Sequence, residues 1–388
     1  MRSSLILACL LLCACHSTPT RTAPTPVRFA TYNSSLYSDL HHGMIERLRK
    51  GDDRARKIAS VIQRERPDVL LVNEFDYDPE GVAADLFQHQ YLEVGQAGQA
   101  PVRYPYRFIA PVNTGVPSGL DLDHDGKVGG GNDALGFGLH PGQYGMLVLS
   151  MVPIEARAAR TFRKFLWKDL PGAMLPQDPK SARPWYSADM LARLPLSSKS
   201  HWDVPVRTPL GTIHFLVHHP TPPVFDGAED RNGRRNHDEI RLWAEYISGK
   251  PAPWLCDDLG KCGGLPPDAL FVIAGDHNAD PVDGDSTSDA IGQLLAHPRV
   301  LHYPAPESTG AVAAATRVGQ GNIGQKGSPA QDTGDFGPRV GNLRLDYVLP
   351  SIGLSVRRSA VFWPAPGEPG ADAIDATDHH LVWVDLTR

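Results

Sequence analysis

Apolar runs in this chain repeatedly close on polar residues. "VRFATYN" ends on Asn33 and "VLLVNEF" reaches Glu74. "TIHFLVHH" ends on His218 and His219, and "FVIAGDHNADP" passes from four apolar residues into Asp276, His277 and Asn278. "LRLDYVLPS" sets Asp346 between apolar positions of a strand, where Asp is depleted. "TDHHLVWVDL" places Asp378 and His379 just before the last strand. One such ending is a turn, because Asp and Asn hydrogen-bond their own backbone and Gly accepts unusual angles. Six of them, dispersed from residue 33 to residue 379, describe one convergent site. Strand ends hold polar groups rigidly at a sheet edge, where ligands reach them. Both ends of the chain supply parts, so residues 27–388 read as a single catalytic domain.

The segments between these endings set the class. "RARKIASVIQRERPD" carries Ile58, Val61 and Ile62 at helical spacing and stops at Pro67. It lies between the "VRFATYN" and "VLLVNEF" strands, an α/β beginning. "YGMLVLSMVPI" is a further buried strand, and "HDEIRLWAEYIS" is an amphipathic helix with Ile240, Trp243 and Ile247 on one side. With 37 glycines and 35 prolines the chain is rich in loops. Those at 97–143 and 302–341 are long enough to be read as functional or mobile.

Composition narrows the function. At 41% hydrophobic and 21% charged the chain is not disordered. A formal net charge of −6 gives no global basic field for nucleic-acid binding by counterion release. "MRSSLILACLLLCAC" has one early arginine and a short apolar run, the pattern of an export signal. Its "LCAC" end resembles a bacterial lipobox. Residues 1–15 are thus expected to be a lipoprotein signal with Cys15 as the lipidated residue, the alternative being a plain signal peptide cleaved nearby. Residues 16–26 read as a Pro-rich tether. The expected place is the cell envelope, with membrane contact through the lipid anchor only and no obligate protein partner. Cys256 and Cys262, in "CDDLGKC", are expected to form a disulfide in an oxidising compartment. A thiol metal site is the other reading, but no further ligands lie nearby in sequence.

The convergent residues suit one chemistry. Glu74, Asp276 and Asp378 are hard oxygen ligands, with Asn33 and Asn278 as neutral ones, a set that fits a magnesium-type ion with phosphate and water. No thiolate belongs to it, which disfavours a soft metal. Asp346 holding one ring nitrogen of His379 would leave the other as a base for water. Metal, oriented water and His219 would together stabilise a phosphoryl transition state. Singly, each residue also has a plainer reading as a solvated strand end or a turn; jointly they do not.

The ordered set "TYN", "VNEF", "HHPTPP", "GDHNADP", "RLDYVLPS" and "TDHH" resembles the endonuclease/exonuclease/phosphatase superfamily, over about Val27 to Leu386. The resemblance implies a four-layer α/β sandwich of two packed mixed sheets flanked by helices. It implies that Asn33, Glu74 and Asp378 bind or position Mg²⁺ or Mn²⁺, and that Asp276 and Asn278 orient nucleophile and phosphate. His379, paired to Asp346, is the implied base, and His219 acts on the leaving group or the phosphoryl oxygens. The chain departs from the family pattern at His277, where an aromatic residue is usual, and at Thr377, where serine is usual.

Three further features are weighed beside this set. "DLDHDGKVGGGND" has Asp121, Asp123 and Asp125 at alternate positions before Gly126, like the start of an EF-hand calcium loop, with Asn132 where Glu is expected. It reads as a structural Ca²⁺ site or as a solvated acidic turn. "DRNGRRNHDE" offers Arg231, Arg234 and Arg235 to a phosphate, or forms a basic turn leading into a helix. "SSKSHWDVPV" adds Lys199, His201 and Trp202 as substrate contacts. The resulting expectation is an exported, divalent-metal-dependent phosphoesterase acting on phosphodiesters or phosphomonoesters. A secreted nuclease is the alternative, and a non-catalytic, calcium-stabilised surface binding protein on this scaffold is the alternative of another class.

Overall fold

The computed structural model describes residues 25–317 and 320–388; the signal segment with Cys15, and residues 16–24 of the tether, lie outside them. In chain order the strands are β1 (Val27–Asn33), β2 (Val69–Asn73), β3 (Tyr106–Phe108), β4 (Met146–Ser150), β5 (Arg160–Thr161), β6 (His201–Thr208), β7 (Gly211–His218), β8 (Leu270–Asp276), β9 (Gly334–Asp335), β10 (Asn342–Leu343), β11 (Asp346–Pro350), β12 (Ser355–Val361) and β13 (Val382–Thr387). One sheet has the order β12-β13-β1-β2-β4-β3 and the other β11-β8-β7-β6-β5, while β9 and β10 pair alone. Both large sheets are mixed. β1 and β2 are parallel in the first, β7 and β8 in the second, and every other pairing is antiparallel.

The sheets pack face to face, with Phe29, Leu71, Val148, Val204, Phe215, Val272 and Val384 among the residues buried between them. Phe29 of one sheet and Phe215 of the other have ring centroids 5.4 Å apart. The outer faces are apolar too, so the central strands are near-continuous hydrophobic runs rather than alternating ones. In β8, Val272 and Ala274 face the other sheet, whereas Phe271 and Ile273 face a helical layer.

The helix Asp53–Glu65 covers the first sheet with Ile58 and Ile62 against Leu70 and Val72. It starts where the Asp52 side chain accepts the Ala55 N–H at 3.2 Å, an N-cap that satisfies a free donor, and it ends before Pro67. The helix Arg231–Tyr246 covers the second sheet through Ile240 and Trp243. Helix, sheet, sheet and helix make the four expected layers. This second helix starts six residues before the segment expected from periodicity, so Arg231, Arg234 and Arg235 form its first turns rather than a turn leading into it.

Candidate active site

The parallel pairs explain where the site lies. β1 and β2 run side by side with Asn33 beside Asn73, so Asn33 and the next residue after β2, Glu74, emerge at one edge. β7 and β8 likewise deliver His219 and Asp276. Asp346 pairs directly with Asp276 across an antiparallel ladder. It is the first residue of β11 and not, as the sequence suggests, inside a strand. An antiparallel strand must start where its partner ends, and this brings Asp346 to the same edge. β13, antiparallel to β1, does the same for His379. Gly275 has its own reason: a Cβ there would lie 2.1 Å from the His218 carbonyl oxygen, so only glycine lets β8 approach β7 this closely.

One oxygen is the hub. Asp276 Oδ2 accepts the Asn33 Nδ2–H at 3.0 Å and lies 3.4 Å from His219 Nε2 and 3.5 Å from His379 Nε2. The other oxygen, Oδ1, accepts the Asn278 backbone N–H at 2.9 Å. The amide of Asn33 also donates to Glu74 Oε1 at 3.1 Å, so one NH₂ holds two carboxylates. His379 Nδ1 donates to Asp346 Oδ2 at 2.8 Å. Thr333 locks that carboxylate: its hydroxyl donates to Asp346 Oδ2 at 2.8 Å and accepts the Leu345 and Asp346 N–H groups. Asp378 is exposed at the rim, with Thr377 Oγ1 and Ser35 Oγ 3.3 and 3.4 Å from its Oδ1.

The charges are strongly perturbed. Burial, with smaller contributions from Asp378 and Asp276, pushes the Glu74 pKa up to about 7 against the opposing pull of His379 and the Asn33 amide. Burial alone would raise Asp276, but His379 and then His219 hold it well below the usual carboxylate range. Burial opposes charge on His379 too, yet Asp346 and Asp276 outweigh it and keep the ring protonated well above the ordinary histidine range. His219 goes the other way. Burial and the nearby Lys199 charge lower it to about 4, so at neutral pH it is a neutral ring.

The sequence matches the Endonuclease/Exonuclease/phosphatase family over residues 30–379. The chain belongs to this family. It is accordingly a metal-dependent phosphoric ester hydrolase, which sets aside the non-catalytic binding-protein alternative. Among solved structures, an endonuclease/exonuclease/phosphatase from Beutenbergia cavernae superposes with a TM-score of 0.50 at 18% identity, covering 94% of this chain and 72% of that one. Sphingomyelinase C from Streptomyces griseocarneus gives 0.47 at 16%, covering 94% and 99%. The human Nocturnin catalytic domain gives 0.47 at 14%, covering 94% and 93%. At 18% identity the first of these likenesses shows the fold alone. No curated protein matches the sequence significantly.

The residues present fit the family's divalent metal. Glu74 has a pKa near 7 because it is buried among like charges, and the ligand that relieves such a group is a cation. Glu74 and the nearby Asp378 and Asp276 offer carboxylate oxygens, which suits a hard ion. An acid and imidazole cluster, Asp276, Asp346 and His379, has one ligand atom from each within 4.8 Å of the others. Within it the His379–Asp346 contact is a hydrogen bond between two side chains, which leaves Glu74 and Asp378 as the carboxylates that would hold a metal.

Both adjacent-histidine pairs are resolved. His380 turns away and stacks on Trp363 at 3.8 Å, and His218 is buried against Trp243 with its Nδ1 3.1 Å from His201 Nε2. His277, where the family usually has an aromatic residue, packs as one, edge-on to Tyr347 at 5.1 Å. Thr377 donates its hydroxyl to the Asn33 carbonyl at 3.1 Å.

Several candidates lie elsewhere or serve another purpose. Arg235 is committed to the Leu196, Leu135 and Pro195 carbonyls, Arg231 pairs with Glu229, and Arg234 lies 3.8 Å from Asp230. Arg231 and Arg235 are thus structural here, while Arg234 Nε has no hydrogen-bond partner. Trp202 is buried between the sheets, and His201 bonds Ser197 and the Glu239 carbonyl; neither is a substrate contact. Lys199, in contrast, is buried beside the site. In the acidic loop, Asp121 and Asp123 gather with Asp133 rather than Asp125, because Asp133 is tied inward by the Leu122 and Gly129 N–H groups. Cys256 and Cys262 form the expected disulfide.

Sequence reasoning missed Thr333, Asn73 and Ser35. Thr333 lies in the long loop 302–341, whose length was the only signal. Asn73 accepts from Thr31 and from the Asp276 N–H, joining the two sheets, and "VNEF" gave no reason to prefer it over Glu74.

Proposed function

We propose that this protein is an exported phosphodiesterase that uses Mg²⁺ or Mn²⁺ and a histidine-activated water. The observation that carries the reading is the convergence of Asn33, His219 and His379 on one oxygen of Asp276, with Asp346 clamping the far nitrogen of His379. Glu74 and Asp378 would hold the ion, with Asn33 positioning Glu74. Bound there, a hard divalent ion would neutralise the crowded carboxylates, polarise a phosphoryl oxygen and favour the neutral form of His379. Asp346 fixes the ring so that Nε2 faces Asp276, and a water lying against both groups would be oriented by the carboxylate and give its proton to the neutral imidazole. The neutral His219 ring donates an N–H to a phosphoryl or leaving-group oxygen. Asn278, pinned by its backbone bond to Asp276, presents its amide to the phosphate.

The export part of the reading is supported by the apolar leader, the "LCAC" end with Cys15, and the Cys256–Cys262 disulfide, which suits an oxidising compartment. The calcium part is kept with Asp133 in place of Asp125, and a rise in thermal stability on adding Ca²⁺ that disappears in Asp133→Asn tests it. The central test is turnover. Release of nitrophenol from bis-(p-nitrophenyl) phosphate should need Mg²⁺ or Mn²⁺ and should exceed release from p-nitrophenyl phosphate. A preference for the monoester would replace diester by monoester in this reading, and cleavage of DNA or RNA in preference to both would favour the nuclease alternative. No hydrolysis of any of them with either ion would overturn it.

A further inference from the structure

Lys199 is the only buried lysine among the described residues, at 6% exposure. Its Nζ has one hydrogen bond, to the Pro220 carbonyl at 3.4 Å, although an ammonium has three donors to satisfy. Among the described residues no carboxylate lies within 4.0 Å of it. The nearest acidic influence is Glu239, but that carboxylate is already committed. Its Oε1 accepts the Ser198 N–H and hydroxyl at 2.6 and 2.9 Å, and its Oε2 accepts the Thr221 N–H at 2.6 Å. Glu239 therefore braces the two segments that flank the ammonium without pairing with it. A cation taken out of water and left without a counter-ion is costly, and such groups persist where a ligand supplies the missing charge.

The surroundings say which ligand. The Pro220 carbonyl that receives Lys199 Nζ also receives Asn278 Nδ2 at 3.2 Å, so ammonium and amide meet at one point. Pro220 follows His219 directly, and His219 Nδ1 is buried with no partner. Burial lowers the Lys199 pKa, while Glu239, Glu74 and Asp276 pull it back up, which places the ammonium in the field of the site's own carboxylates. The ammonium and the Asn278 amide thus meet at the Pro220 carbonyl, next in the chain to His219, whose Nε2 reaches Asp276.

We propose that Lys199 is a phosphate-binding residue of this site, its ammonium and the Asn278 amide together holding a non-bridging oxygen of the phosphoryl group. The proposal rests on the phosphoesterase reading above. It separates Lys199 from Arg231 and Arg235, whose guanidinium groups are already held by Glu229 and by the Leu196, Leu135 and Pro195 carbonyls.

The test uses Lys199→Met, which keeps length and removes charge, with inorganic phosphate and Mn²⁺ as separate probes. Hydrogen bonds to charged groups suggest that phosphate inhibition and KM for bis-(p-nitrophenyl) phosphate should each weaken about 10- to 100-fold. Mn²⁺ affinity, read by electron paramagnetic resonance, should stay within about twofold of wild type, and the unliganded Tm should hold or rise because an unpaired buried cation is gone. Phosphate affinity within about twofold of wild type would overturn the proposal. Should Lys199→Met not fold, the wild-type protein labelled with ¹⁵N-lysine decides: the one ammonium resonance protected from exchange must shift when phosphate is added, and an unmoved resonance refutes it. A wild-type protein that neither binds Mn²⁺ nor hydrolyses the diester would instead refute the functional reading, leaving a distinct signature.

Discussion

His379 Nδ1 and Asp346 Oδ2 stand 2.8 Å apart, although 32 residues separate them in sequence and they enter different sheets. The contact fixes which ring nitrogen is free. Removing the ring in His379→Ala should lower kcat by about two to four orders of magnitude, the usual cost of losing a general base. Mn²⁺ affinity should stay near normal, because Glu74 and Asp378 remain. Asp346→Asn should also lower kcat, since an amide can orient the ring but does not stabilise its cation. Single-turnover rates with a parallel Mn²⁺ titration check both, and wild-type turnover in His379→Ala would remove the base assignment.

His380 supplies the matched control. It is buried on Trp363, and its backbone N–H donates to the Thr333 carbonyl at 2.8 Å. His380→Ala should lower Tm through lost packing, by about 1–2 °C for each kcal/mol of destabilisation in a domain of this size, while kcat at a temperature where the fold is intact stays within about threefold. A kcat loss equal to that of His379→Ala would reverse the assignment of the two rings.

The metal prediction carries a pH sign. Glu74 in the ion-free protein has its pKa pushed up to about 7 by burial and by its like-charged neighbours. Below pH 7 an entering ion must displace a proton, so apparent Mn²⁺ affinity should fall as pH drops from 8 to 6. In Glu74→Gln affinity should be weak at both values and that slope should flatten. EDTA should abolish turnover and added Mn²⁺ should restore it; full activity in excess chelator would exclude metal dependence.

The legibility of the site followed from backbone periodicity. Asn33, Glu74, His219 and Asp276 end strands whose apolar runs are long because both faces are covered, so the residue where the run breaks is visible in sequence. Asp346 was visible for the same reason, though its place at the start of β11 depends on which strand it pairs with, and pairing is not local. Thr333 could not be found this way. It reaches Asp346 from an irregular loop, and nothing in "QDTGDFG" distinguishes a clamping hydroxyl from a solvated one. The arginine cluster misled for a related reason. Charge density near His219 is a sequence fact, but whether a guanidinium is free depends on the carbonyls that the fold brings to it, as Leu135, Pro195 and Leu196 are brought to Arg235.

Beneath the site, three fully buried rings give a stability signature distinct from catalysis. Burial pushes the pKa values of His201 and His277 down to about 4 and holds His218 well below the ordinary histidine range. Two of their nitrogens, His218 Nε2 and His277 Nε2, have no partner that would welcome a proton. In the unfolded chain each ring titrates near 6.5. Between that value and about 4 the unfolded state binds more protons than the folded state, so the contribution of these rings to stability is present above pH 6.5 and is lost as pH falls through this window. Carboxylates raised by burial, such as Asp76 at about 6, act with the opposite sign, so the whole-protein curve mixes the two. A single substitution separates them. His277→Phe keeps an aromatic ring against Tyr347, gives up the Nδ1–H bond to the Gly275 carbonyl at 3.0 Å, and removes one titrating group. Its stability relative to wild type, from urea unfolding, should therefore be nearly flat from pH 7.5 to about 6.5 and improve as pH falls from there to 4.5. A difference that stays constant across that range would show that His277 does not bind protons differently in the two states.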